Sequence, residues 1–228
     1  MPLKQRAIVI GGSMAGLLAA RALADYFQEV TVLERDNLPA TAALRRGVPQ
    51  GGHAHGILAS GRRVLDAFFP GISTQLIERG ARSGDIGRDA RWFLEGASLS
   101  RCASGLDALL VSRPLLELAV RNRVRELRNV RLVENCAVDE LVSTPDNRRV
   151  SGVKAGGEFL RADLVIDAEA EGLAARSGWK SSDTMRPWRI ASRSGSATPR
   201  AGFAASLSIL TATWLQSFRR HPIANAAA

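Results

Sequence analysis

The sequence predicts an α/β fold built on a parallel sheet, and three local observations carry that reading. Ala7 to Ile10 form an apolar, β-branched run of the kind found in a buried parallel strand, and the turn Gly11-Gly12-Ser13-Met14-Ala15-Gly16 follows at once. A helical segment with Leu17, Leu18, Ala20 and Leu23 on its inner faces comes next. A second buried run, Val30 to Leu33, then closes on the acid Glu34. Glycine at 11 permits a tight turn and glycine at 16 permits close packing of helix on strand. The helix N-terminus offers unpaired N–H groups to a pyrophosphate, and Glu34 can accept hydrogen bonds from a ribose diol. Ser13 stands where the middle glycine of Gly-x-Gly-x-x-Gly is usual, so the backbone meets a phosphate past a small side chain. A glycine turn in an ordinary βα unit would leave Glu34 unexplained. The unit therefore reads as Rossmann-like and dinucleotide-binding.

The remaining elements follow in order. Arg35-Asp36-Asn37-Leu38-Pro39 reads as a loop leading to Arg45-Arg46-Gly47-Val48-Pro49-Gln50-Gly51-Gly52-His53-Ala54-His55, where paired guanidiniums before a glycine-rich loop suit a phosphate. Solvated surface arginines are the alternative. His53 and His55, two apart with no acid partner nearby, make a poor metal set, so no metal site is expected. Ala59 to Phe69 reads as an amphipathic helix closed by Phe69-Pro70-Gly71. Arg91 to Leu94 and Leu109 to Val111 read as short strands. Ser112-Arg113-Pro114-Leu115-Leu116-Glu117 opens a helix, with Ser112 as cap, Pro114 in the first turn and Glu117 near the positive end. Val130–Val133, Cys136–Val142, Val150–Ala155 and Glu158–Leu160 read as strands of a small inserted β-sheet. Asp163 to Ala168 reads as a further strand returning beside the first, with Asp167 near its end.

Composition bounds the function. A chain of 228 residues holds one large or two small domains. No apolar run is long enough to span a bilayer, and the first strand begins a few residues from Met1, so neither a membrane span nor a signal peptide is expected. Cys102 and Cys136 lack disulfide-framework or metal spacing and read as reduced thiols, which suggests a cytoplasmic protein. The formal charge of +9 is uneven: residues 1–168 carry 23 Lys/Arg against 19 Asp/Glu, and residues 169–228 carry 8 against 3. With over half the excess in the last quarter and no nucleic-acid motif beside it, a nucleic-acid partner is not expected.

Together these landmarks resemble the class A flavoprotein monooxygenases, the aromatic-hydroxylase-like family that includes FAD-dependent epoxidases. The residues that carry the resemblance are Gly11–Gly16 with Glu34, the block Arg45 to His55, Phe69-Pro70-Gly71, Ser112 to Glu117, and Ala162 to Ala168; it spans residues 6–168. The resemblance implies a glutathione-reductase-type FAD-binding domain over 1–168. It places FAD on Gly11, Ser13, Ala15 and Gly16, with Glu34 and Arg35 by the adenosine ribose. It further implies Arg45 near the pyrophosphate, Arg113 near the ribityl–phosphate region, Val138 beside adenine, and Asp167 at the edge of the site. His53 and His55 would lie in the segment facing the flavin. NAD(P)H would act as a transient reductant, and one oxygen atom from O₂ would pass to a small organic substrate. The resemblance assigns no catalytic residue and no oligomeric state.

The resemblance stops after Ala168. The family continues with Thr/Ser-Gly-Arg-Gly-Ser-Arg and Trp-Leu-Glu-x-Leu-Gly-Tyr, whereas this chain reads Glu169-Ala170-Glu171-Gly172-Leu173-Ala174-Ala175-Arg176. Residues 169–228 hold 9 serines, three of the four tryptophans, and after Glu171 only one acid, Asp183. Read from the third base of each observed codon, Trp179-Lys180 must encode Glu. Synonymous choices from Glu169 to Pro187 then permit Gly-Arg-Gly-Ser-Arg-x-Pro-x-Trp-Leu-Glu-x-Leu-Gly-Tyr-Asp-Ala-Pro. A frameshift after residue 168 is therefore expected, making 169–228 an out-of-frame, poorly ordered tail and the FAD-binding domain incomplete. A divergent but genuine C-terminal domain is the alternative. Three functions follow: an FAD-dependent oxidoreductase of the monooxygenase type, a non-catalytic truncated flavin-binding remnant, or an NAD-binding dehydrogenase or nucleotide-binding module.

Overall fold

The computed structural model describes residues 4–45, 48–52, 54–146 and 148–169. Strand β1 (Lys4–Ile10) leads through the glycine turn into α1 (Met14–Ala24), and β2 (Phe27–Leu33) returns parallel to β1 with Val9 opposite Val32. The chain then passes a short 3₁₀ turn, β3 (Ala54–Ile57), α2 (Ala59–Phe68), α3 (Ile72–Glu78), β4 (Arg82–Asp85), the small hairpin of β5 (Phe93–Leu94) and β6 (Ala97–Ser98), and β7 (Asp107–Ser112). Helix α4 (Arg113–Arg125) follows, then β8 (Val130–Val133), β9 (Val138–Ser143), β10 (Val150–Ala155), β11 (Glu158–Arg161) and β12 (Leu164–Asp167). The principal sheet is all-parallel in the order β12-β1-β2-β8. A three-stranded antiparallel sheet, β11-β10-β9, is inserted between β8 and β12, and β3-β7-β4 form a second antiparallel sheet.

Alternation along β1 and β2 creates three layers. Ala7, Val9, Val30 and Val32 are buried on one face with Leu17 and Ala20 of α1 and Ala119, Val120 and Val124 of α4. Ile8, Ile10 and Leu33 point the other way and pack with Val138, Val153 and Ala155 of the antiparallel sheet and with Ala162. A parallel strand covered on both faces needs apolar residues at successive positions, which is why Ala7 to Ile10 is an unbroken apolar run. Gly152 lets the antiparallel layer close, since a Cβ there would lie 2.1 Å from the Leu160 carbonyl oxygen.

β12 lies parallel to β1, with Ala7 opposite Leu164, as the sequence predicts, and Asp163 anchors its start by accepting from the N–H groups of Gln5 and Arg6 at 3.1 Å. Other expectations need correction. Val130–Val133 belongs to the parallel sheet beside β2, not to the small sheet, because α4 makes a crossover that returns the chain parallel to β2. The strand expected over Arg91–Leu94 shrinks to Phe93–Leu94 in a two-residue hairpin. The strand expected from Cys136 begins at Val138; Cys136 instead gives its N–H to the Glu34 carbonyl at 2.9 Å. Strands β3 and β4 and helix α3 were not legible, being four to seven residues long and without clear periodicity. Gly71, at φ +82°, turns the chain from α2 into α3. Among the described residues no helix is long and apolar enough to cross a membrane, and no cluster of His, Cys, Asp and Glu could hold a metal ion. The tail expected over 169–228 lies outside the described residues apart from Glu169.

Candidate functional site at the glycine turn

The turn sits at the carboxyl ends of the parallel strands, where open α/β sheets place ligands. Gly11 N–H donates to the Leu33 carbonyl at 2.8 Å, and Ala168 N–H donates to the Ile10 carbonyl at 2.9 Å. Gly11 has φ +96°, a conformation only glycine adopts without strain. A Cβ on Gly16 would lie 1.8 Å from the Gly11 carbonyl oxygen, so the helix can approach the strand only through glycine. Gly12 lies so close to Glu34 that an added Cβ would come within 3.1 Å of the Glu34 Cβ.

Glu34 is 5% exposed and faces this turn. Its Oε2 accepts from Gly12 N–H at 2.8 Å and from Arg45 Nη1 at 3.0 Å, and its Oε1 accepts from Asp36 N–H at 3.0 Å. Arg45 reaches the same crevice from the following loop. Its Nε donates to Glu117 Oε1 at 2.7 Å, and Asp36 lies 3.6 Å from its Nη1. Burial of the Arg45 guanidinium opposes its charge, but Glu117 and Glu34 outweigh that penalty and hold its pKa above the ordinary arginine value. Arg113 arrives from the start of α4 and donates through Nη2 to Ser13 Oγ at 3.1 Å. Ser13 Oγ in turn donates to Glu117 Oε2 at 3.0 Å. Arg45, Arg113, Pro114 and Glu117 line a small open cleft together with Leu44, Val48 and Gly51.

The expected site residues are thus gathered unequally. Gly11, Ser13, Gly16, Glu34, Arg45 and Arg113 meet at one crevice, although Arg113 is 100 residues from Ser13 in sequence. Ala15 is exposed in the first turn of α1, and Arg35 is exposed immediately after Glu34. Asp167 ends β12 opposite Ile10 and accepts from Glu169 N–H at 3.2 Å. Val138 opens β9 and is buried in the core between the two sheets. His55 sits on β3 opposite Val111; His53 is outside the described residues.

Sequence reasoning missed the centre of the arrangement. It read Glu117 only as a helix-dipole partner and did not single out Arg121. Glu117 is 4% exposed and Arg121 is 2% exposed, with Arg121 Nη1 3.8 Å from Glu117 Oε1 and its Nη2 donating to the Pro39 carbonyl. Burial pulls the Arg121 pKa below its ordinary value, and attraction to Glu117 only partly offsets this. The available signal was the spacing Arg113, Glu117, Arg121: one acid between two bases at i,i+4 along one helix face. Among the described residues, Arg45 Nη2, Arg113 Nε and Arg121 Nε are buried without a hydrogen-bond partner.

The comparisons with known proteins agree with this geometry. No family profile matches the chain. Protein Rv3254 of Mycobacterium tuberculosis is 36% identical over 189 residues, covering 74% of this chain and 38% of that protein. The FAD-dependent monooxygenase ptmM of Penicillium ochrochloron is 26% identical over 204 residues, covering 83% of this chain and 43% of that protein. The chain therefore spans about two-fifths of the length of these curated relatives. Among solved structures, the tetrameric form of 2-methyl-3-hydroxypyridine-5-carboxylic acid oxygenase matches with a TM-score of 0.54 at 26% identity, over 77% of this chain and 42% of that one. PqsL of Pseudomonas aeruginosa shares the fold with a TM-score of 0.58 at 16% identity, over 81% and 48%. Taken with the glycine turn, the buried acid after β2 and the arginines beside them, these similarities show that the chain resembles the FAD-dependent monooxygenases in fold and in sequence.

Proposed function

We propose that this chain binds FAD in the crevice at the glycine turn and derives from an oxidoreductase that uses NAD(P)H and O₂ on a small organic substrate. The observation that carries the reading is the convergence of Arg45 and Arg113, from separate elements, on the turn and on Glu34. The residues present fit the group. The turn is closed by Gly11 and Gly16, Glu34 offers a carboxylate to a ribose, and the buried Arg45 Nη2 lacks a partner among the described residues. A guanidinium N–H left unpaired in a buried site is costly, and a phosphate oxygen would satisfy it. The antiparallel β9–β11 layer, inserted before β12 and covering the face opposite the helices, supports the glutathione-reductase-type variant of the fold.

When bound, FAD supplies the redox chemistry of such enzymes. The part of this chain is to bind and orient it: α1 presents its N-terminal N–H groups, Glu34 holds the sugar, and Arg45 and Arg113 hold the phosphates. Titrating purified protein with FAD tests the reading. Saturable binding with a shifted flavin absorbance band is expected; preference for NAD over FAD would favour a dehydrogenase instead.

A second reading rests on the change of text at Glu169: a flavin-binding remnant with residues 169–228 out of frame. Sequencing the coding DNA around codon 168 and translating all frames should recover Gly-Arg-Gly-Ser-Arg in the shifted frame. Robust coupled consumption of NAD(P)H and O₂ by the chain as written would show residues 169–228 to be a working domain.

A further inference from the structure

Glu117 is a buried carboxylate that the cofactor reading does not require and that simple electrostatics would remove, since a negative charge beside a phosphate site repels its ligand. Yet it joins all three parts of the crevice. Oε1 takes Arg45 Nε at 2.7 Å, Oε2 takes the Ser13 hydroxyl at 3.0 Å, and Arg113 Nε lies 3.6 Å from Oε2. Ser13 gives up its ordinary role to make this link. It occupies the N-cap position of α1, but its side chain makes no capping hydrogen bond and is shared between Glu117 and Arg113 instead. The Ser13 side chain therefore leaves the first-turn N–H groups of α1 uncapped. Arg45, held at Nε by Glu117 and at Nη1 by Glu34, is left with Nη2 as its unpaired group among the described residues.

We infer that Glu117 is a positioning residue: it fixes the rotamers of Arg45 and Arg113 and turns Ser13 away from the helix end, so that the unpaired guanidinium N–H and the α1 N–H groups converge on one anionic group, the cofactor's diphosphate. This inference rests on the FAD reading above. Holding two long cations in a single geometry before the ligand arrives removes their ordering cost from binding. Arg121, packed behind Glu117 with Nη1 3.8 Å from Oε1, keeps the carboxylate from following Arg45 outward.

The sign of one substitution decides between this role and charge alone. Glu117→Gln keeps size and removes the negative charge. If Glu117 acted only as a nearby charge, the variant would bind FAD more tightly. If it positions the arginines, the variant binds FAD about tenfold more weakly, the value of one charge-assisted hydrogen bond, and the salt dependence of Kd flattens as the arginines disengage. Ser13→Ala leaves no buried charge unpaired and serves if Glu117→Gln fails to fold. It should weaken FAD binding severalfold without lowering the unfolding midpoint. Kd is measured by flavin fluorescence across a salt series, with thermal unfolding of the FAD-free proteins run in parallel. Equal or tighter binding by Glu117→Gln, or unchanged binding by Ser13→Ala, overturns the inference. So does weaker binding with an unchanged salt slope and a fallen midpoint, the signature of a merely structural role. Absence of saturable FAD binding by the wild-type chain overturns the cofactor reading as well, whereas normal wild-type binding with an unaffected Glu117→Gln overturns this inference alone.

Discussion

Two carboxylates, Asp85 and Glu117, are buried to nearly the same degree, at 5% and 4% exposure, but their partners differ in kind. Asp85 ends β4 and is satisfied locally: it accepts from the N–H groups of Gly87, Arg88, Ser104 and Gly105 at 2.7–3.0 Å and from the Ser104 hydroxyl at 2.7 Å. All of these partners lie within 20 residues of it in sequence. Glu117 is satisfied by side chains drawn from distant segments, and among the described residues its cationic neighbours keep unpaired N–H groups. A saturated buried carboxylate ties a loop to itself. An incompletely satisfied cluster of buried cations around a carboxylate is poised for a ligand.

The comparison breaks most visibly at Arg45. Arg45→Ala removes the cation shared by Glu34 and Glu117, and loss of one partner of a buried pair costs ~3–5 kcal/mol. Denaturant unfolding should register that loss, and flavin retention should vanish with it. Retained stability and flavin would show that the two carboxylates do not depend on this guanidinium. Gly16→Ala tests the turn itself. Its Cβ would sit 1.8 Å from the Gly11 carbonyl oxygen, an overpacking worth about 1–3 kcal/mol or more. A stable Gly16→Ala protein with intact α1 would mean that the helix can retreat from β1.

Asp85→Asn sharpens the contrast from the other side. The Ser104 hydroxyl and then the backbone N–H groups hold the Asp85 carboxyl well below the ordinary carboxylate range, against the opposing effect of burial. Because the folded pKa is depressed, its contribution to stability is fully present above the ordinary value and drains away as pH falls below about 4. The variant should therefore unfold more easily than wild type at neutral pH, with the difference narrowing in urea melts below that pH. The flavin affinity of folded Asp85→Asn should match wild type; a tenfold loss would make Asp85 part of the site. The smallest effect belongs to Ser112, whose hydroxyl caps α4 by accepting from Leu115 N–H at a long 3.4 Å. Ser112→Ala should cost about 0.5–1 kcal/mol by chemical denaturation and shift flavin affinity slightly, since α4 carries Arg113 and Glu117.

Local pattern made β1, the turn, α1 and the approach of Asp163–Ala168 legible. Their burial needs an unbroken apolar run, and the turn needs glycine at 11 and 16 for steric reasons that act within a few residues. Val130–Val133 was readable as a strand but not as a strand of the parallel sheet, because periodicity carries no information about which neighbour a strand will find. Arg45 and Arg113 were found through guanidinium chemistry and family likeness. Glu117 and Arg121 were not, since charges at i,i+4 on a helix ordinarily mark a solvated face.

The sequence by itself determined the strand–turn–helix–strand unit, the acid after β2, the cap of α4 and the family likeness. Each depends on sterics or hydrogen bonds between residues close in the chain. Only the tertiary structure decided that the charged face of α4 would be buried. The loop bearing Arg45, 72 residues before Glu117, folds over that face, and Ser13, 104 residues away, turns its hydroxyl toward it. Burial of a charge is set by what covers it, and that covering comes from segments whose approach no local pattern records.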